Sequence, residues 1–413
     1  MIPFRCILRK AVNIFKSIFS MNKDARIFVL IGAGFSKPAG LPLAKEIEGF
    51  FTRNNKDNIL KFISGETKWF DFASETYRHN GKLGFDHLAY GYILNELVKT
   101  FVKKNKSFTN YEDFYQFLID GFQQKGFIDQ ILKDAETVCL GENPNLKENS
   151  YSASYLYAFK HTSSSHLTSL INHLIADLLY WRKTKKEIDS TYAAFVSFLS
   201  QYNCVDFTTL NHDLLLEYLL ENQAKRKYSD GFSENQKTLL SSEGKPLNTF
   251  VGKFPEPISV IKLHGSIDTY KYLICKEEGA SVTYTGDYIY YKTLDYYEKQ
   301  KPERYDPATG KKVQTFHFEI MPQFIAGTKK DNIIKNDKMY SCLYSEFDKR
   351  IHSNEKLLII GYSYADPHVN EKILSIIKCK TVKQIINVNP GMEFPFESNG
   401  VEVINLKGIN EII

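Results

Sequence analysis

The chain contains no C-x-x-C pair, and its six cysteines, Cys6, Cys139, Cys204, Cys275, Cys342 and Cys379, lie far apart. That spacing excludes both the ligand pattern of a structural zinc site and the framework of a disulfide-stapled domain. A cytoplasmic, reducing setting suits such cysteine usage. Long apolar runs are also lacking. In the first twenty residues, MIPFRCILRKAVNIFKSIFS, the charges of Arg5, Arg9, Lys10 and Lys16 break each run before it reaches signal-peptide or membrane-span length. Residues 1–24 therefore read as a leader or a packing helix, with Met21 as a second candidate start, and no membrane partner is expected. Nor does charge of one sign dominate. The 53 basic and 48 acidic residues leave +5, too near balance to imply direct nucleic-acid binding without a clustered patch. The two short basic clusters, around Lys103-Lys104 and Lys183-Thr184-Lys185-Lys186, sit beside helical stretches and read as solvated faces. There is no internal repeat and no low-complexity tract.

What the chain has in quantity is length and aromatic side chains, with 26 Tyr and 30 Phe in 413 residues. A chain of that size is expected to form two lobes, or one domain with large insertions. Residues 25–32, ARIFVLIG, form a continuous apolar, β-prone run of the kind that becomes a strand buried on both faces of a parallel sheet. Four more short apolar runs follow much later: CVDFTTLN from 204, SVIKLHGS from 259, KLLIIGYS from 356 and KQIINVNP from 383. Each ends in small or polar residues. Between about 52 and 200 the apolar period is near 3.6, as in FDHLAYGYILNELVKTFV and SSSHLTSLINHLIADLLYW, so this block is expected to be helical. Stretches 222–257 and 268–315 read as insertions between strands. The fold class these patterns predict is α/β, a Rossmann-like parallel sheet with a large helical insertion lobe. In such sheets the ligand lies outside the carboxyl ends of the strands, so the strand tips define one crevice.

Five tips carry residues with chemistry. In FVLIGAGFSKPAGLP the strand breaks at Gly32-Ala33-Gly34, which can bring backbone N–H groups against a phosphate, with Ser36 adding a hydroxyl; the alternative is a plain tight turn. The dinucleotide fingerprint is incomplete, since Lys37 stands where a third glycine belongs. In TTLNHD, Asn211 reaches the rim and can hydrogen-bond a sugar hydroxyl or a water, while Asp213 opens a helix expected over 214–220; capping accounts for both equally well. His212 is read as packing. In IKLHGSID, His264 emerges beside Gly265, a residue with no side chain, which leaves room to reach a substrate, and its pKa suits proton transfer near neutrality; a structural role is the competing account. In GYSYADPHVN and INVNPG, Gly361, Tyr362, Ser363, Asp366 and Asn389 could hold ribose or adenine edges, or simply make turns.

Taken in order, these five stretches resemble the sirtuin-like family, and within it the bacterial branch of NAD-consuming antiphage-defence proteins more than the protein deacetylases. GAGFSKPAGLP is similar to the family's glycine loop, TTLNHDLLLE to its asparagine motif, and KLHGS to its histidine motif. GYSYADPHVN and NVNP look like its later nucleotide-binding loops, and MPQFIAGTKKD from 321 resembles the proline-containing segment before them. The resemblance implies that residues 25–413 form one NAD-binding catalytic domain. It implies NAD as substrate, with Gly32, Ala33, Gly34 and Ser36 at its phosphates, Gly361, Ser363 and Asn389 toward the adenosine half, and Asn211 and His264 at the chemistry. Two departures stand against deacetylation: Leu43-Ala44-Lys45 replaces an Asp-Phe-Arg run, and the four-cysteine zinc module is absent, so no zinc is expected. The resemblance further implies an NAD glycohydrolase held in check until triggered, acting in a homo-oligomer or with a HerA-type ATPase. A non-catalytic NAD or ADP-ribose sensor, and a protein deacylase or ADP-ribosyltransferase, are the alternatives.

Overall fold

The computed structural model of the protein describes residues 26–47, 86–105, 111–142 without 125, short pieces between 144 and 179, and 183–412 without 235–237, 242, 280, 294–301, 315–320 and 326–329. The expected leader over 1–24 and the start of the helical block, 52–85, lie outside the described residues.

In chain order the strands are β1 (Arg26–Ile31), β2 (Cys204–Thr209), β3 (Gly231–Glu234), β4 (Leu239–Leu240), β5 (Asn248–Lys253), β6 (Ile258–Lys262), β7 (Gly265–Glu278), β8 (Ser281–Lys292), β9 (Glu303–Tyr305), β10 (Lys312–Gln314), β11 (Pro322–Phe324), β12 (Lys356–Ile360), β13 (Gln384–Val388) and β14 (Glu402–Leu406). The helices are α1 (Asp86–Asn105), α2 (Tyr111–Phe122), α3 (Phe127–Glu142), α4 (Lys185–Leu199), α5 (Leu215–Tyr218), α6 (Lys330–Asn336), α7 (Lys338–His352) and α8 (Pro367–Lys378).

Six strands make one all-parallel sheet in the order β14-β13-β12-β1-β2-β6. The chain builds outward from β1 through β2 to β6 on one side, then returns to build β12, β13 and β14 on the other. The order therefore reverses between β1 and β12, the switch point at which a doubly wound sheet opens a crevice. The five apolar runs became β1, β2, β6, β12 and β13. Strand β14 was not anticipated, because VEVINL is a half-exposed edge without a continuous apolar run.

The apolar run of β1 works because a central parallel strand has two faces to bury. Ile27, Val29 and Ile31 join Ile188, Tyr192 and Phe195 of α4 in one core, while Phe28 and Leu30 join Leu343, Phe347 and Ile351 of α7 with Val369 and Ile373 of α8 in another. Each such fully buried side chain contributes about 1.5–3 kcal/mol. Helix α4 starts on a capping box, in which Thr184 accepts from the Glu187 amide and the Glu187 carboxylate accepts from the Thr184 amide. Strand β2 carries a buried charge in its first half: Asp206 accepts from Arg350 and from Ser259 at 2.9 Å and Asn354 at 3.1 Å, so the charge is paired at the amino end of the sheet, away from the strand tips.

The helical block is as expected where it is described. Helices α1, α2 and α3 share a separate core of Leu97, Phe101, Phe114, Leu118 and Leu132, and that core also takes in Ile267 at the start of β7 and Phe324 of β11. The basic clusters are solvated: Lys103, Lys104, Lys185 and Lys186 are exposed. The stretches expected as insertions form antiparallel sheets, β11-β7-β8-β5-β3 and β10-β9-β4. Among the described residues no helix is long and apolar enough to cross a membrane.

Candidate active site

The glycine turn after β1 and the turn after β12 face each other across the switch point and touch backbone to backbone. The Gly34 amide donates to the Gly361 carbonyl at 2.9 Å, and the Gly32 amide to the Ile360 carbonyl at 2.9 Å. A Cβ on Gly32 would lie 2.6 Å from the Gly361 carbonyl oxygen, and one on Gly361, whose φ is +62°, would lie 2.2 Å from the Phe35 nitrogen. The side chains given up at this strand tip therefore make room, first of all, for the neighbouring loop. Ala33 is the residue of the turn whose amide has no partner among the described residues.

Ser36, 2% exposed, is engaged too: its hydroxyl donates to Asp213 Oδ2 at 2.8 Å and accepts from Asn211 Nδ2 at 3.0 Å. The same Nδ2 donates to the Gly32 carbonyl at 3.1 Å. A carbonyl oxygen only accepts, so this contact orients the Asn211 amide with its nitrogen toward the glycine turn. Its Oδ1 accepts no hydrogen bond among the described residues. Asp213 does not take the cap position expected of it, which Leu214 occupies without a side-chain cap; its Oδ2 accepts from Ser36 and its Oδ1 from the Leu215 amide at 3.0 Å. The helix it opens is shorter than expected, Leu215–Tyr218 followed by a wider π turn over Leu219–Gln223. Burial pushes the Asp213 carboxyl up, against the opposing charge of Lys262, whose ammonium reaches the Asp213 carbonyl and Glu217 Oε1.

Asn211 and His264 stand at equivalent places on neighbouring strands. Thr209 at the end of β2 pairs with Lys262 at the end of β6, the Leu263 amide donates to the Thr209 carbonyl at 3.0 Å, and each side chain emerges two residues further on. The room expected beside Gly265 is occupied, however. Strand β11 crosses there, the Ile325 amide donating to the His264 carbonyl at 2.9 Å, and a Cβ on Gly265 (φ +84°) would meet the Gln323 carbonyl oxygen at 2.2 Å. His264 is buried, 7% exposed.

His264 Nε2 lies 3.0 Å from Asp366 Oδ2. A carboxylate only accepts, so Nε2 carries the proton, and the neutral ring has its lone pair on Nδ1. Burial lowers the His264 pKa below its ordinary value, with Lys330 adding to the effect and the Asp366 carboxylate opposing it. Burial raises Asp366 in turn, yet the His264 hydrogen bond and Lys330 outweigh it and hold the carboxyl well below the usual range. Asp366 also caps α8, accepting from the His368 and Val369 amides at 3.0 and 3.2 Å. The sequence signalled only this turn chemistry; a partner 102 positions away leaves no local trace. His212 packs as anticipated, its ring 4.6 Å from that of Phe324 and 6.3 Å from that of His264, and burial followed by the His264 charge pushes its pKa down to about 3.

The adenosine-side candidates divide. Ser363 is exposed at the loop tip. Asn389 is buried, and its amide donates to the Tyr362 carbonyl at 3.0 Å and to Asn387 Oδ1 at 2.9 Å, so it braces the loop after β12. Sequence reasoning missed Asn387 and Tyr364. Asn387, wholly buried inside β13, accepts from the Tyr364 hydroxyl at 2.7 Å and donates to Asn405 of β14 at 2.8 Å. An asparagine within an apolar strand was the available signal.

Among the described residues no group of three or more His, Cys, Asp or Glu side chains is placed to hold a metal ion.

Residues 205–384 match a family model described as a SIR2-like domain. The match spans under half of the chain, including Asn211, His264, Gly361 and Ser363, and supports the sirtuin-like resemblance over that segment. A search of the curated proteins finds no match. Among solved structures, a Sir2 homologue in complex with NAD is 12% identical, covering 96% of this chain and 91% of its own with a TM-score of 0.36. A mutant Sir2 homologue in complex with ADP-ribose is 11% identical, covering 96% and 94%, with a TM-score of 0.34. Sir2Tm bound to a propionylated peptide is 12% identical, covering 95% and 92%, with a TM-score of 0.32. Scores this low carry no argument about chemistry.

Proposed function

We propose that the chain is an NAD glycohydrolase, cleaving the bond between nicotinamide and ribose to release nicotinamide and ADP-ribose. The observation that carries this reading is the pair of acceptor atoms left at neighbouring strand tips, Asn211 Oδ1 and His264 Nδ1, once Gly32 and Ser36 have claimed the amide nitrogen and Asp366 the other ring nitrogen.

That pair suits the reaction. Nicotinamide leaves NAD as a neutral group through an oxocarbenium-like state, so no acid is needed to protonate it. What is needed is an acceptor to orient the attacking water or a ribose hydroxyl, and a base to take the proton. Asn211 Oδ1 fills the first role and His264 Nδ1 the second, its lowered pKa keeping the ring neutral near pH 7. The NAD phosphates would lie along the turn from Gly32 through Ala33 and Gly34 to Ser36, with the adenosine half toward Gly361, Ser363 and Asn389. The SIR2-like match over 205–384 supports the nucleotide, and the strand order supports the crevice. The resemblance further supports control by a trigger in antiphage defence and action as a homo-oligomer or with a HerA-type ATPase.

The test is incubation of the full purified chain with NAD, alone and with the product of its neighbouring gene, followed by chromatography. Nicotinamide and ADP-ribose in equal amounts are expected. Saturable NAD binding without product in either arm would make the chain a sensor. Label from NAD on a protein acceptor would make it a transferase.

A further inference from the structure

The segment MPQFIAGTKKD enters no step of the proposed reaction, yet it ends beside the site. Its Lys330, at the first position of α6, lies 3.6 Å from Asp366 Oδ2 and 3.2 Å from Glu112 Oε2 of α2. All three side chains are largely buried, 14% exposed for Lys330, 5% for Asp366 and 19% for Glu112. Four alternating charges and dipoles thus run from the helical block into the sheet: Glu112, Lys330, Asp366, His264.

We propose that Asp366 is the positioning residue of this site, holding the His264 imidazole in the tautomer that leaves Nδ1 free to take a proton, and that Lys330, itself held by Glu112, sets how strongly it does so. The role of Nδ1 as base rests on the glycohydrolase reading; the pairing and its strength do not.

Three observations converge on it. First, the carboxylate is divided between two tasks, Oδ1 capping α8 and Oδ2 meeting His264, so the cap anchors the acceptor at a fixed place relative to the ring. Second, the loop carrying Asp366 is fixed in turn: the Tyr362 hydroxyl donates to the Asp366 carbonyl at 3.0 Å or to Asn370 Oδ1 at 2.9 Å. Third, the charged groups beside His264 act on it in opposite directions. Asp366 from the start of α8 and Glu112 from α2 favour the imidazolium; Lys330 from α6 and any charge on His212 after β2 oppose it. A cation beside the carboxylate draws off part of its field, so the pair is weaker with Lys330 present than without it.

The experiment uses the full chain with nitrogen-15 histidine and follows the imidazole nitrogens by NMR over about pH 5 to 8, the range in which histidine ordinarily titrates. The wild-type ring is expected as the Nε2–H tautomer. Asp366→Asn keeps an oxygen for the cap but removes the charge; it should erase the tautomer preference and lower the His264 pKa. Lys330→Met, which touches no cap, should raise that pKa by about half a unit to one unit. With NAD as substrate, the acid limb of the kcat/KM profile should move the same way in each variant, and Asp366→Asn should lose at least ~10-fold in kcat at its plateau. A folded Asp366→Asn protein with unchanged tautomer and pKa overturns the proposal. So does Lys330→Met with an unchanged or lowered pKa, a result available even if the first variant fails to fold. A wild type that never cleaves NAD overturns the glycohydrolase reading, while the NMR arm still decides the pairing.

Discussion

Asn211 and Gly32, on turns 179 positions apart in the chain, are joined by one hydrogen bond of 3.1 Å from the amide nitrogen to the carbonyl oxygen. The same nitrogen reaches Ser36 at 3.0 Å, so one side chain ties the tip of β2 to the turn after β1 and leaves its oxygen without a donor among the described residues.

Replacing that side chain separates its two jobs. Asn211→Ala is expected to cut nicotinamide release from NAD by at least ~100-fold while costing about 1–2 kcal/mol of stability for the lost bonds. Asn211→Asp keeps an acceptor but cannot donate to the Gly32 carbonyl, so it should cost as much stability or more. Product chromatography and denaturant unfolding measure the two effects; normal turnover in Asn211→Ala would remove the residue from the mechanism.

The backbone contact at the switch point predicts a different outcome. At Gly361 a methyl group would sit 2.2 Å from the Phe35 nitrogen, in a left-handed conformation. Gly361→Ala should therefore lower stability by about 2–4 kcal/mol or prevent folding, combining backbone strain with a collision that neither loop can relieve. A thermal midpoint within a degree of the wild type would show that the two loops do not pack so closely in solution.

Acid should weaken the fold through its buried imidazoles. His212 has its pKa lowered from 6.5 to about 3. Between those values the unfolded chain binds a proton that the folded chain does not, so the unfolding free energy falls as pH falls through this window. One such group contributes up to ~1.4 kcal/mol per pH unit. His212→Leu is expected to flatten the decline measured by urea titrations at pH 6.5, 5.5 and 4.5. An equally steep decline in the variant would assign acid sensitivity to other groups.

Lys292, at the end of β8, gives a test of buried charge. Its ammonium lies 2.5 Å from Asp230 and 3.3 Å from Asp268. Burial alone would lower its pKa, yet the two carboxylates raise it well above the ordinary lysine value. Lys292→Met should leave both acids uncompensated and cost about 3–5 kcal/mol, and changing Asp230 and Asp268 to Asn in the same chain should recover part of the loss. Unfolding curves of the single and triple variants decide it. No recovery in the triple variant would mean that packing, not charge, was lost.

The parallel sheet was legible because its signal is local. A strand buried on both faces must be apolar along its whole length, as in IFVLI and LLII, and a strand tip must return to small and polar residues. Asn211 and His264 were legible for the same reason, each standing just past such a tip. Strand β14 was not, since its residues are exposed or half-buried and its run is not apolar throughout. The strands β3, β5, β7 and β8 were passed over because their alternation is interrupted by Lys, Tyr and Gly-Asp turns.

Composition and periodicity by themselves determined five strands of the parallel sheet, the small and polar turns at their tips, and the helices of the block where it is described, because burial imposes its pattern on neighbouring residues. Which atoms those turns leave available was decided only by the tertiary structure. Gly34 spends its amide on Gly361, Asn389 spends its side chain on Tyr362, and Asp366 meets His264 across 102 positions. Hydrogen-bond partners of that kind depend on how separate strands are brought side by side, and no residue carries a record of a neighbour it acquires only on folding.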